Sequence, residues 1–272
     1  MGEVVDVEMR KVARAMTIAG SDSGGGAGIQ ADLKSFAAMG VYGTSVLTAV
    51  TAQNTLTVTE VVEMPDSVIR SQIDAVISDI GTDAVKTGML SSVEIIETVV
   101  EKLKEHKLTT LVVDPVMVST GGARLLHEDA VDALITLLLP LATVITPNIP
   151  EAEALVGHEI KDMDGMRDAA KMLVAMGAKS AVVKGGHMSG PATDIFFDGT
   201  EVKAFTSQRI STDNTHGTGC TFASAIAAGL AKGQSIRESV SEAKKYVTDA
   251  IRFAPNLGQG NGPLNHFYML RD

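Results

Sequence analysis

The stretch NTHGTGCTF, Asn214 to Phe222, sets the chain's single cysteine, Cys220, directly after Gly217, Thr218 and Gly219. If a helix begins here, its first N–H groups have no partner inside the helix and can converge on one anion. The same N–H groups would stabilise charge developing on a transferred phosphoryl group. A thiol on that first turn feels the positive end of the helix dipole, which lowers its pKa and favours thiolate. The competing reading of Cys220 is a small buried hydrophobe, the commonest fate of a free cysteine. The glycines ahead of it weigh for the chemical reading. A lone cysteine has no internal disulfide open to it.

Further groups with chemical potential stand where apolar runs end. Asp114 closes LVVDPV, and Pro115 turns the chain away from helix after it. Glu151 opens a helical pattern after TPNIP. The two carboxylates could hold Mg2+ and its waters opposite the polyphosphate of ATP, a cation that takes few protein carboxylates beside phosphate oxygens. An equal reading of Glu151 is a first-turn residue that complements the helix dipole. Lys184 ends the apolar run SAVVK, where it either snorkels to water or meets an anion beside Gly185 and Gly186. The glycine-rich SDSGGGAG offers close backbone approach to a ligand, or only a tight strand-helix turn. Gly26 to Ala31 fits a relaxed dinucleotide fingerprint, but TAQNT stands where a ribose-binding acid belongs. A G-x-x-x-x-G-K-[ST] loop is absent. His187 and His216 fall in loops and are not assigned as bases.

The elements around these groups alternate. ARAMTIAG, TSVLTAVTAQ, DAVKTG, TTLVVDPV, ATVITPN and SAVVKGG read as buried strands, with helical patterns between most of them, including one near Glu128 to Leu139. LTVTEVVEM alternates like a half-exposed strand, and FFDGTEVKAF reads as a hairpin about Asp198-Gly199. The pattern predicts an α/β fold, a mostly parallel central sheet with helices on both faces, and ligands beyond the carboxyl ends of its strands.

Composition excludes several classes. At 272 residues, 45% apolar and 21% charged, the chain has ordinary globular usage. Its net charge of −10 and the lack of Lys/Arg runs beyond Arg10-Lys11 and Lys244-Lys245 remove the footprint of a nucleic-acid binder. Glu3, Asp6 and Glu8 stand where an export signal would be basic, so a cytoplasmic protein is expected. The greasiest run, Ala133 to Ile145, is interrupted by Pro140 and falls short of the ~20 residues a membrane span needs.

Seven segments in order, GSDSGGGAGIQAD, VTAQNT, VKTGML, VVDPVM, TPNIPEAE, VVKGGH and HGTGCTF, resemble the hydroxymethylpyrimidine and phosphomethylpyrimidine kinases of thiamine synthesis, within the ribokinase-like superfamily. The resemblance runs from about Ala15 to the C-terminal GQGNGPLNH. It implies an N-terminal extension over residues 1–14 and one ribokinase-like domain over 15–272, a homodimer that uses Mg-ATP on 4-amino-5-hydroxymethyl-2-methylpyrimidine and then on its monophosphate. It further implies an anion hole over Gly217, Thr218, Gly219 and Cys220, with Cys220 as the base. Gln53 would grip the pyrimidine edge, with Gly20, Asp22, Ala27, Asp32, Met89 and Val116 completing the pocket. Lys184 and Asn148, with Thr218 and Gly219, would hold the ATP phosphates, and Asp114 and Glu151 the metal. Pyridoxal kinases share this fold and chemistry, and a nucleotide-binding module without turnover would keep the glycine loops and not need Cys220.

Overall fold

The computed structural model describes residues 12–118, 122, 124–186 and 188–270, so the N-terminal extension through residue 11 and His187 lie outside the described residues. From the N-terminus run β1 (Arg14–Asp22), α1 (Gly28–Ala38), β2 (Tyr42–Gln53), β3 (Val58–Glu63), α2 (Asp66–Asp79), β4 (Ala84–Thr87), α3 (Val93–Glu105) and β5 (Leu111–Val113). They continue with α4 (Ala130–Ala133), β6 (Val144–Ile145), α5 (Ile149–Val156), α6 (Met163–Ala175), β7 (Ala181–Val183), β8 (Ala192–Phe197), β9 (Val202–Ser207), α7 (Thr218–Ala231) and α8 (Ile236–Arg252).

The described strands form one sheet in the order β3-β2-β1-β4-β5-β6-β7-β8-β9. Pairing is parallel from β2 across to β7 and antiparallel at both margins. The central strands are apolar on both faces because both are covered. Val112, Val144 and Val182 pack in one cluster with residues of α1, α7 and α8. Leu111, Val113, Ile145 and Val183 pack in the other with residues of α2, α3, α5 and α6. Each such side chain stabilises the fold by about 1.5–3 kcal/mol through burial.

Two expectations change in detail. The helix predicted near Glu128 to Leu139 is α-helical only over α4; it then widens into a π turn at Leu134–Leu138 and a 3-10 turn at Leu139–Leu141. Pro140 has no N–H to continue the α ladder. The half-exposed strand LTVTEVVEM becomes β3, an edge strand with Val61 and Val62 exposed. The hairpin forms as read: Asp198 Oδ1 accepts from the Thr200 and Glu201 N–H groups, and Gly199 takes φ +92°.

Topology fixes where a ligand can sit. From β1 the chain moves outward to β2 and β3, then returns through α2 to β4 on the other side of β1. Loops leaving β1 and β4 therefore diverge, and the crevice between them opens beyond the strands' carboxyl ends.

Candidate active site

Strand ends and two glycine-rich loops surround a cavity of ≈ 1070 Å³, at the upper end of small-molecule pockets. The first loop is organised by Asp22. Its carboxylate accepts from the N–H groups of Gly24 at 2.8 Å, Gly26 at 3.0 Å and Ala27 at 2.8 Å, and lies 2.9 Å from His216 Nε2. Burial favours the neutral carboxyl, yet His216 and the backbone donors outweigh it and hold Asp22 below its ordinary value. Asp22 thus shapes the loop that borders the cavity.

Backbone contact explains both glycine clusters. Gly217 has φ +82°, and a Cβ there would fall 1.8 Å from the Gly26 carbonyl oxygen. Gly28 has φ +55°, and its Cβ would meet Gly20 O at 2.3 Å. The two loops, distant in sequence, pack main chain against main chain.

Gly217 caps α7. The Thr218 N–H turns back to Thr215 O at 3.2 Å, and Thr218 Oγ1 donates to the same oxygen at 2.7 Å. This corrects the expectation that Thr218 offers its amide to an anion. Thr221 N–H begins the helical ladder by donating to Gly217 O at 2.9 Å, which leaves the Gly219 and Cys220 N–H groups without an acceptor among the described residues. A Cβ on Gly219 would lie 3.1 Å from Lys184 Nζ and 3.7 Å from both Asp114 carboxylate oxygens. Lys184 Nζ donates to Asp114 Oδ1 at 3.1 Å. Burial works against charge on Lys184, but Asp114 and Glu151 outweigh it and raise its pKa. Two unpaired amides, an ammonium and a carboxylate share one end of the cavity.

Cys220 lies there as well, half-buried. The expected depression of its pKa is corrected: packing around the sulfur pushes the thiol up to about 12, while Lys86 and an N–H from Gly28 pull the other way. In the unliganded protein the thiol is protonated at neutral pH.

Asn148 caps α5, its side chain accepting from Glu151 N–H at 2.9 Å while Glu151 Oε2 accepts from Asn148 N–H at 2.8 Å. This reciprocal pair is a capping box, so the dipole reading of Glu151 describes what the helix start does. Burial first, then the charge of Asp114, pushes Glu151 up to about 7 against the pull of Lys184. Asp114 Oδ2 is buried with no hydrogen-bond partner. An orphaned carboxylate oxygen beside a second carboxyl fits a divalent cation, which needs only one or two protein oxygens.

Gly20, Ala27, Gln53, Met89, Val116 and Asn148 also line the cavity. Asp32 does not. It is wholly buried beneath the floor, bonded to Lys86, Thr17 and Ser224, and its place in the pocket is corrected accordingly. Sequence reading passed over Lys86 inside KTGM, and it gave no role to His216, whose Nε2 stands 3.5 Å from Gln53 Nε2. It also passed over the Asp194–Lys244 pair at 2.8 Å and Arg209, whose guanidinium donates to the carbonyls of Gly186, Met188 and Gly190. Lys86 was legible as a lysine inside a buried strand, close to the argument applied to Lys184; the others depend on pairings across the fold.

The phosphomethylpyrimidine kinase family model matches residues 22–265. The chain belongs to this family. It is 48% identical to the hydroxymethylpyrimidine/phosphomethylpyrimidine kinase of Bacillus subtilis, covering 95% of this chain and 96% of that one. It is 54% identical to the thiamine biosynthesis bifunctional protein ThiED of Geobacter sulfurreducens over 94% of this chain, but spans only 53% of that longer relative. Among solved structures it resembles an ADP complex of Bacillus subtilis pyridoxal kinase, with TM-score 0.89, 43% identity and coverage of 95% and 99%. It also resembles the phosphomethylpyrimidine kinase of Clostridium difficile 630, with TM-score 0.79, 47% identity and coverage of 89% and 100%. The sheet and its helices are ribokinase-like, as expected.

Proposed function

We propose that the protein phosphorylates 4-amino-5-hydroxymethyl-2-methylpyrimidine with ATP and Mg2+, then phosphorylates the monophosphate to the diphosphate. One observation carries the reading of the site: the unpaired Gly219 and Cys220 N–H groups converge with Lys184 and Asp114 at one end of the cavity. Family membership supplies the substrate class.

In this reading the γ-phosphoryl rests on the two amides and the Lys184 ammonium, donors fixed before the reaction and worth about 10²-fold or more each in phosphoryl or acyl transfer. Asp114 and Glu151, with Asn148 beside them, would hold Mg2+, which when bound would neutralise phosphate charge. The pyrimidine lies by Gln53, whose amide donates and accepts at once, between Gly20, Ala27, Met89 and Val116. Its hydroxyl oxygen bonds to the γ-phosphorus, the bridging P–O bond breaks, and ADP leaves. The hydroxyl proton passes to the Cys220 thiolate, the minor form of that group.

Residues 15–272 act as one kinase unit, working as a homodimer in the cytoplasm. No described helix is long and apolar enough to cross a membrane. A second reading, pyridoxal phosphorylation, draws on the 43% identity to a pyridoxal kinase. A coupled ADP-release assay on the purified protein separates the readings. The expected result is release with hydroxymethylpyrimidine and with its monophosphate, both faster than with pyridoxal. Release with pyridoxal alone moves the assignment to the second reading, and none with all three substrates leaves a binding module.

A further inference from the structure

Lys86 is a wholly buried charged group of the cavity that the reaction above does not use. It is the third residue of β4 and places Nζ 3.0 and 2.9 Å from Asp32 Oδ1 and Oδ2. Asp32 also accepts from Thr17 Oγ1 and Ser224 Oγ, both at 2.6 Å. Such a pair is a poor way to gain stability, since apolar residues of similar volume often serve a core as well or better. Its location suggests another use. Lys86 and Gly88 both border the cavity, and a Cβ on Gly88 would lie 2.9 Å from Lys86 Nζ, so only glycine there leaves room for the ammonium. Ser224, which grips Asp32, is one helical turn beyond Cys220 and on the same face of α7. The ion pair therefore sits beneath the first turn that carries the thiol.

We propose that Lys86, locked by Asp32, is a positioning residue for Cys220: a fixed cation under the anion hole that offsets negative charge on the sulfur. The inference rests on the phosphoryl-transfer reading only for its consequence in turnover. The charged groups around the sulfur are Lys86 from β4, Asp114 after β5, Asp32 from α1 and Lys184 after β7. Among them Lys86 makes the largest opposition to burial, and Cys220 in turn favours the charged form of Lys86.

Because Cys220 is the only cysteine in the chain, its alkylation by iodoacetamide reports this one sulfur. Rates across pH 7 to 9.5 are measured on the full chain without substrate, for wild type, Lys86→Met, Asp32→Asn and the double variant. Lys86→Met is expected to alkylate about tenfold more slowly at pH 8.5, through a smaller thiolate fraction. Asp32→Asn is expected to alkylate faster, the opposite sign. A single variant that fails to fold gives way to the double variant, which leaves no unpaired ion and is expected to keep its melting temperature near wild type. The double variant is expected to be slower than wild type by about threefold or more. Alkylation at the wild-type rate or faster in folded Lys86→Met, or in the folded double variant, overturns the proposal. Because no turnover is involved, failure of the kinase reading would leave this result intact, and failure here would leave ADP release intact.

Discussion

The two proposed phosphorylations make different demands on Cys220. In the first the nucleophile is an alcohol, whose proton must go somewhere; in the second it is a phosphate oxygen already ionised near neutral pH. Cys220→Ala should therefore cut the first reaction by about 10²–10⁴-fold and the second by less than about tenfold. The pH dependence follows the same logic. A thiol pushed up to about 12 supplies tenfold more thiolate for each pH unit between 6.5 and 8.5, so kcat/KM for the alcohol should climb at that slope. For the monophosphate it should stay nearly flat once the phosphate is ionised. Equal losses in both reactions, or a flat profile for the alcohol, would remove the base assignment. The sequence revealed the place of Cys220 but not its protonation state. A helix dipole can be read from GTG; the packing that opposes it depends on neighbours from α1, β4 and β5. The Thr218 amide was misjudged for a similar reason, because its bond to Thr215 O is made by a turn whose geometry the spacing does not reveal.

Among the elements, α5 does two things at once. Its Asn148–Glu151 capping box satisfies N–H groups at the helix start, and the same Glu151 is raised to about 7 by burial beside Asp114. A carboxyl whose folded pKa lies above its ordinary value of 4.5 binds an extra proton in the folded state between the two values. Its charge therefore costs stability as pH rises from 4.5 to about 7. Gln keeps the cap and removes the charge. Glu151→Gln should raise Tm by roughly 2–4 °C at pH 8 and change it little at pH 5, as measured by calorimetry without metal. A lower Tm at pH 8 would show that the carboxylate is stabilising there. Strand and helix order was legible because buried parallel strands are nearly all apolar and each helix shows its own period. Pro140 was visible in the sequence, but the wide turn it forces ahead of β6 was not. The exposure of β3 was also hidden, because alternation marks two faces without saying whether a helix covers either.

On the scale of the whole molecule, the sheet gathers groups that the chain keeps far apart. Gly26 and Gly217 meet through their main chains and His216 reaches Asp22, joining the first loop to the one before α7, while Ser224 reaches Asp32 and joins α7 to α1. The seven motifs announced that a site forms at the strand ends. Asp32 shows the limit of that announcement: it belongs to a cavity motif yet points below the floor, a direction set by the packing of α1 on α7. The central claim is that the Gly219 and Cys220 amides, with Lys184, receive the migrating phosphoryl group. Its most direct test is a crystal structure with hydroxymethylpyrimidine and a non-hydrolysable ATP analogue. The account predicts γ-phosphate oxygens about 3 Å from the Gly219 and Cys220 nitrogens and from Lys184 Nζ, with the hydroxymethyl oxygen facing the phosphorus. A γ-phosphate bound away from the start of α7 would contradict it.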